Sequence, residues 1–309
     1  MSAPRLLVVA GPTASGKTEL AVQLCEALGG EVVSADSQQV YRGFDIGTAK
    51  PDAVERARAP HHLISILDPR AERMDAARFA ERAEAAIAEL AGRDKVPIVA
   101  GGTGLYLRAL LHGVMDAPGR DPAFRATLRA RAERDGWPAL HAELARTDPE
   151  TAQAIGRNDR VRIERALELH FASGKTASEL RRAHRFAPLR HPFFGVWLFP
   201  GREVLAQRIA ARARAMFASG LVEETQALLA AGLEQAPPMS SIGYVQARAV
   251  LAGTMTREQA IEDLVRQTRL YAKRQMTWFK KEPGLRRIEP PHGDALRQLI
   301  DEARAFLQG

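Results

Sequence analysis

The sequence predicts an α/β fold, a doubly wound parallel sheet interrupted by a helical insertion. Three observations predict it. Short apolar runs alternate with helix-period stretches through the first hundred residues. The run RLLVVA at 5–10 passes directly into GPTASGKT at 11–18, which has the G-x-x-x-x-G-K-[ST] spacing of a P-loop between a strand and a helix. Residues 120–185 then carry helical patterns with almost no strand signal.

The elements follow in order. RLLVVA reads as a buried strand, and ELAVQLCEAL continues the P-loop into a helix ending near Leu28. EVVSA at 31–35 is a second strand and HHLISI at 61–66 a third, after the loop DIGTAKPDAVERARAP. Residues 75–91 have helical spacing, and VPIVA at 96–100 is another buried strand. GGTGLYLRALLHGV turns at Gly101–Gly102 and enters a helix with Thr103 near its start. The insertion is punctuated by DPAF, DGWP, TDPE and GRND. HPFFGVWLF at 191–199 returns to the sheet, 202–220 is a helix closed by Gly220, and helices continue through 257–281. The expected organisation is a P-loop-containing core from 1–119 and 191–309, with the insertion at 120–190.

Composition narrows the class. The single cysteine, Cys25, falls within a helical pattern and suits a small core residue; one thiol builds neither a disulfide nor a zinc site. The apolar stretch before Gly11 is too short for a signal peptide, and no run approaches a membrane span of about 20 apolar residues. A cytoplasmic protein without membrane attachment is expected. Net charge is +7, unevenly placed: residues 1–119 are net −2, while 120–190 and 191–290 are each net +5. A polyanion partner for the later segments fits this asymmetry, and so does an arginine-rich solvated surface.

Three segments deliver polar groups beyond the carboxyl ends of the strands, where open α/β sheets bind ligands. In the P-loop, Gly11, Pro12, Thr13, Ala14, Ser15, Gly16, Lys17 and Thr18 would cradle phosphate oxygens with backbone N–H groups. Lys17 adds a point charge, and Thr18 is the position that holds Mg²⁺. Such a loop ordinarily marks nucleotide binding, ATP binding in particular. Asp36 follows the second strand and either faces the crevice or caps the turn DSQQ. Thr103 either caps its helix or points its hydroxyl at a ligand. VPIVA is followed by Gly-Gly-Thr, so the acid that ends a strand in P-loop hydrolases is missing. Arg208 and Arg212 lie four apart on one helical face with Arg214 nearby. They suit a kinase lid or a site for a departing diphosphate equally well. A nucleotide or small-molecule kinase, and a non-catalytic RNA-binding protein that senses nucleotide, are the competing readings.

The series GPTASGKT, VVSADSQQVYRGFDIGTAKP, PHHLISI and VAGGTGLYLRALL resembles the tRNA dimethylallyltransferase family. NDRVRIERALEL, SGKT, RIAARARAMFASGLVEE, SSIGYVQ and AKRQMTWFKK extend the resemblance in order over about 5–281. It implies transfer of a dimethylallyl group from dimethylallyl diphosphate to the exocyclic amine of the adenosine 3′-adjacent to the anticodon, in tRNAs reading codons that begin with U. The P-loop would then hold an isoprenoid diphosphate with Mg²⁺, and no water-positioning residue is needed. The resemblance assigns Asp36 as general base, Lys17 and Arg212 to the diphosphate, and Thr103 to orienting the acceptor or diphosphate. It assigns RNA contacts to Asp36, Ser37, Gln38, Gln39, Thr103 and Arg125, and to Val161, Arg162, Ile163, Glu164 and Arg165. Further RNA contacts fall on Ser240, Ser241, Ile242, Gly243, Tyr244 and Val245, and on the basic helix at 273–280, with Lys273 and Arg274 foremost. Val245 stands where an arginine is frequent in the family, and Gln39 where members vary. No zinc-finger segment is present, as in the compact bacterial type. A monomer is expected.

Overall fold

The computed structural model describes residues 3–184 and 189–309. It divides into two units, Met1–Leu111 with Leu189–Gly309, and His112–Pro188. The second begins eight residues before the position expected from sequence, because the helix that opens at Gly104 ends at His112. The end of the expected insertion, 185–188, lies outside the described residues.

The first unit is built on a six-stranded, all-parallel sheet. Its strands are β1 (Leu6–Ala10), β2 (Gly30–Ser34), β3 (His61–His62), β4 (Val96–Gly101), β5 (Phe193–Leu198) and β6 (Leu285–Ile288). Their spatial order is β3-β2-β4-β1-β5-β6. This is the α/β class that the sequence predicts. Residue alternation along β1 divides the core: Leu6, Val8 and Ala10 join one apolar cluster, Leu7 and Val9 another. Both faces are therefore covered, as a parallel sheet requires. On one side lie α1 (Lys17–Leu28), whose Cys25 is buried, and the C-terminal helix 293–308 with Leu299 and Ala303. On the other lie α3 (Ala76–Gly92) and α4 (Gly104–His112), which bring Phe79, Ile87 and Leu107.

Two connections differ from expectation. The third strand stops at His62 rather than 66, because Leu63 and Ser65 have φ of 62° and 53°, which extended backbone cannot accommodate. The chain then turns back, and the Ile66 and Leu67 N–H groups donate to the Val40 carbonyl. Within the expected loop, α2 (Ala53–Arg58) forms on a capping box: Asp52 accepts from the Glu55 N–H and Glu55 from the Asp52 N–H.

The second unit contains α5 (Pro122–Asp135), α6 (Trp137–Thr147), α7 (Pro149–Ala154), α8 (Arg160–Ser173) and α9 (Ala177–His184), and among its described residues there is no strand. Asp121, Asp148 and Asp159 cap α5, α7 and α8, so the acids in the punctuating motifs end and begin helices. Its core holds Leu128, Leu140, Leu144, Ile163 and Leu167.

After β5 the first unit continues through α10 (Arg202–Ala218), α11 (Leu221–Ala230), a 3₁₀ turn (Pro237–Ser240), α12 (Tyr244–Leu251), α13 (Arg257–Phe279) and α14 (Gly293–Gln308). α10 to α13 close over a third apolar cluster with Tyr41, Phe44, Phe217, Leu221, Tyr244 and Leu264. That cluster stands α10 and α13 beside the carboxyl ends of the strands. β6 escapes a sequence reading because it is short, with two arginines, and pairs with β5 alone.

Candidate active site

The P-loop leaves β1 at Gly11 and reaches α1 through two residues in the left-handed region, Ala14 at φ 63° and Gly16 at φ 94°. Gly11 is required: a Cβ there would lie 2.7 Å from Ser15 Oγ. α1 has no side-chain cap at its N-terminus, so its first N–H groups remain available to an anion. Ser15 is fully buried and its Oγ has no partner. These features fit a phosphate-sized group in the loop.

A cavity of about 600 Å³ opens from this loop, lined by residues of the first unit alone. Lys17 and Thr18 from α1, Asp36 after β2 and Arg212 from α10 all face it. Burial pushes the Lys17 ammonium down to about 8; the Arg212 charge adds to this and Asp36 opposes it. Burial likewise lowers Arg212, against the attraction of Asp36. Lys17, Lys50, Arg212 and Arg274 line the cavity against two carboxylates, Asp36 and Glu55, so the site is short of negative charge, which a diphosphate would supply. Arg208 is bound to the loop itself, donating to the Ser15 carbonyl at 3.3 Å. Arg214 is exposed and does not line the cavity.

Asp36 serves both roles left open by the sequence. Its Oδ1 accepts from the Gln38 N–H at 2.8 Å and the Gln39 N–H at 3.3 Å, which sets the turn, and its carboxylate still faces the cavity. Ser37 and Gln38 line the wall beside it, and Gln38 Oε1 is buried without a partner. Thr103 is not part of the wall. Its Oγ1 accepts from the Ser37 N–H at 3.2 Å and so supports the turn from behind. Gln39 fastens the opposite loop, donating to the Thr48 and Ala49 carbonyls.

That loop forms another wall, and a carboxylate anchors its first turn. Glu224 on α11 accepts from the N–H groups of Asp45, Ile46 and Gly47, and from the Tyr244 hydroxyl at 2.6 Å. Tyr244 is fully buried against Gly47, so an RNA contact through its side chain is corrected to a packing role. Ser240, Ser241 and Ile242 line the cavity, whereas Gly243 and Val245 do not. The Gly243 N–H donates to Gln246 Oε1, and Val245 is exposed.

On α13, Leu264, Thr268, Tyr271, Arg274 and Gln275 line the cavity at helical spacing. Lys273 is exposed to solvent. Burial, with the Asp36 charge, pushes the Tyr271 hydroxyl up to about 12, so it remains neutral. Tyr271, His61 and Glu224 have no role in the sequence reading, and Gln275 falls there only within the RNA-contacting segment 273–280. Gln275 lay inside the quoted run AKRQMTW, but only the fold shows that it faces inward.

In the second unit, the expected RNA-contacting residues separate by exposure. Val161 and Arg162 are exposed. Ile163 is fully buried in the core, and Glu164 is buried and paired with Arg125 and Arg129. Arg125 is committed: it donates to both Glu168 oxygens at 2.7 Å and pairs with Glu164 at 2.9 Å. Arg165 is held by Glu168 and by the Pro118 and Gly119 carbonyls. Contacts to RNA through Arg125, Ile163 and Glu164 are therefore corrected to structural roles, since a buried carboxylate must keep its partners.

The magnesium implied at Thr18 has a fitting donor set. Among the described residues no group of three or more His, Cys, Asp or Glu side chains could hold an ion. A hydroxyl beside a phosphate cradle suits a cation that keeps several waters and takes its other ligands from substrate phosphates, as Mg²⁺ does.

A parallel P-loop sheet, with cations and carboxylates lining the cavity at its cradle, is the arrangement of a protein built to bind a phosphate-bearing ligand. Residues 39–282 match the family model described as IPP transferase, and residues 4–62 that described as isopentenyl transferase. The chain is 56% identical over 293 residues to a tRNA dimethylallyltransferase of Myxococcus xanthus, covering 95% of each chain. It is 47% identical to one of Geobacter sulfurreducens, covering 94% of this chain and 93% of the relative. The full-length tRNA isopentenylpyrophosphate transferase of Bacillus halodurans superposes with a TM-score of 0.72 at 36% identity, over 98% and 97% of the two chains. A eukaryotic dimethylallyltransferase acting on tRNA superposes with a TM-score of 0.74 at 30% identity, over 89% of this chain and 70% of that one. The chain belongs to the IPP transferase family, and it is a transferase.

Proposed function

We propose that this enzyme transfers the dimethylallyl group of dimethylallyl diphosphate to the exocyclic amine of the adenosine next to the anticodon on its 3′ side, in tRNAs that read codons beginning with U. The product is N6-(dimethylallyl)adenosine. The observation that carries this reading is the shared cavity, which Lys17, Arg212 and Asp36 line together, the two cations suited to an anion. We also take the enzyme to act as a monomer in the cytoplasm; among the described residues no helix is long and apolar enough to cross a membrane.

The chemistry follows from charge. As the allylic C–O bond breaks, the carbon becomes electron-poor and the diphosphate gains negative charge. Lys17, Arg212 and the P-loop N–H groups stabilise that charge more strongly as it grows, which is how electrostatic preorganisation accelerates a reaction. Thr18 would hold Mg²⁺, which supplies further neutralisation of the diphosphate. The adenine amine is a poor nucleophile, since its lone pair is delocalised into the ring. It must be aimed at the carbon and give up a proton as the C–N bond forms. Asp36, whose carboxylate lines the cavity, accepts that proton. An adenine stacked in an anticodon loop cannot reach such a cavity, so it is extruded at a cost of a few kcal/mol. Arg162, paired at 3.5 Å with Asp159, and Lys273 and Arg274, exposed on α13, are cations that can meet RNA phosphates.

The test is incubation of labelled dimethylallyl diphosphate with unmodified tRNA, followed by nucleoside analysis. Label in a prenylated adenosine supports the reading. Label in no nucleoside, with transfer of a labelled ATP phosphate instead, would support the kinase.

A further inference from the structure

The backbone ladder between β1 and β4 ends at the pair Ala10 and Gly101. Beyond it the chains diverge, one into the P-loop and the other into the turn that begins α4. A side chain continues the ladder where the backbone stops. Gln275 of α13 accepts from the Thr13 N–H through Oε1 at 2.9 Å and donates through Nε2 to the Gly102 carbonyl at 2.9 Å. Its amide thus acts as one additional rung, satisfied at both ends and buried in the protein. The fit leaves no slack, since a Cβ on Gly102 would lie 2.4 Å from Gln275 Nε2.

The two loops it joins carry the two halves of the reaction proposed above. Thr13 belongs to the phosphate cradle. Gly102 precedes Thr103, whose N–H donates to the Ala35 carbonyl and whose Oγ1 accepts from the Ser37 N–H, on either side of Asp36. These bonds fix the turn around Asp36 to Thr103 and its neighbour Gly102, and the Gln275 amide ties Gly102 to the P-loop.

Resting on that reading, we infer that Gln275 is a positioning residue: by bridging Thr13 and Gly102 it sets the distance between the diphosphate cradle and the Asp36 carboxylate. The amide is suited to this because one end accepts and the other donates, matching one N–H and one carbonyl. Misplacement of reacting groups by about 1 Å can cost about 100-fold in rate while binding groups stay intact.

The test is a double-mutant cycle on the full-length enzyme, with single-turnover prenyl transfer, pyrophosphate affinity and tRNA affinity all measured. Gln275→Met keeps the length and removes both hydrogen bonds. It is expected to slow the chemical step about 10- to 100-fold and to leave both affinities within about threefold. Gly102→Ala, which pushes the amide aside, is expected to slow the same step. The doubly substituted enzyme is expected to be no more than about threefold slower than the worse single variant, because both changes break one bridge. Gln275→Asn, too short to span both atoms, carries the same expectation if Gln275→Met does not fold. A wild-type rate in the Gln275 variants, a loss seen only in affinity, or fully multiplicative effects in the cycle would overturn the role. If the wild-type enzyme transfers no prenyl group, the functional reading itself has failed instead.

Discussion

Lys17 and Arg212 hold like charges in one enclosed cavity, and the Arg212 charge helps to push the Lys17 ammonium below its ordinary range. They arrive from α1 and α10, on either side of the insertion in sequence. Such a pair is unfavourable in the free protein and favourable once an anion lies between its members. With Lys17 at about 8, the free enzyme loses this charge as pH rises above 8. A diphosphate requires the charged form, so affinity for a non-reactive dimethylallyl diphosphate analogue should fall about tenfold per pH unit above about 8. Calorimetry between pH 7 and 10 reads this directly; a flat profile would mean that Lys17 is not the pH-sensitive contact. The linked stability runs the other way. Lys17 titrates below 10.5 in the fold, so the folded protein binds fewer protons than the unfolded chain between about 8 and 10.5, and its penalty is relieved as pH rises. Lys17→Met should therefore raise the apo melting temperature at pH 7 while weakening analogue binding.

Asp36→Ala should reduce single-turnover prenyl transfer about 10²- to 10⁴-fold, the usual contribution of a general base. Affinity for tRNA should stay within a few-fold. Because Asp36 Oδ1 also sets the turn for Gln38 and Gln39, Asp36→Asn is the companion variant: it keeps an acceptor for those N–H groups and loses the base. Rapid-quench assays should find both variants slow. A near wild-type rate for Asp36→Asn would remove the carboxylate from the chemistry.

Glu224→Ala should destabilise the loop that carries the Thr48–Pro51 wall. Three backbone N–H groups and the Tyr244 hydroxyl lose one acceptor together, a loss of about 2 kcal/mol or more for charge-assisted bonds. Tyr244→Phe removes one of those bonds and should cost about 1 kcal/mol. Urea melts give the two values, and hydrogen exchange should show faster opening at Ile46 and Gly47 in Glu224→Ala. Unchanged protection there would place the loop's support elsewhere.

The arginines of the second unit should divide into two classes. Arg125→Ala takes the bidentate partner from the buried Glu168, which keeps Arg165 and the Asp121 N–H, and should cost about 3 kcal/mol, the lower end for breaking a buried pair. Burial opposes ionisation of Glu168, yet donors from Arg125, Arg165 and the Asp121 N–H outweigh it and hold the carboxyl at about 2. That stabilisation is complete above the ordinary value of 4.5 and is lost as pH falls from there to about 2. The difference between wild type and Arg125→Ala should therefore shrink over that window. Arg162→Ala, by contrast, should leave stability unchanged. Like Lys273→Ala and Arg274→Ala, it should lower the slope of log K against log salt for tRNA by about 0.7 to 0.9. Equal salt slopes in all three variants and wild type would mean that RNA docks elsewhere.

The sequence by itself determined the elements whose signals are local. The P-loop with its Lys17, β1, β2, β4 and β5 and the helical character of the insertion were all legible. Each depends on a spacing of a few residues or on one motif. Asp36 and Arg212, by contrast, were singled out for one role only by the family resemblance. What only the tertiary structure decided depends on partners far apart in the chain. β3 ended early because Leu63 and Ser65 took left-handed backbone, and β6 became a strand only because β5 offered a free edge. Arg125, Ile163 and Glu164 read as part of a basic surface, yet helix packing turned Ile163 inward and committed Arg125 to buried carboxylates. Gln275 reached Thr13, 262 residues away, and Glu224 reached Gly47, 177 away. A side chain's polarity is written in its residue type, but whether it faces solvent, substrate or another buried group depends on which elements pack against it. Periodicity along one helix does not carry that information.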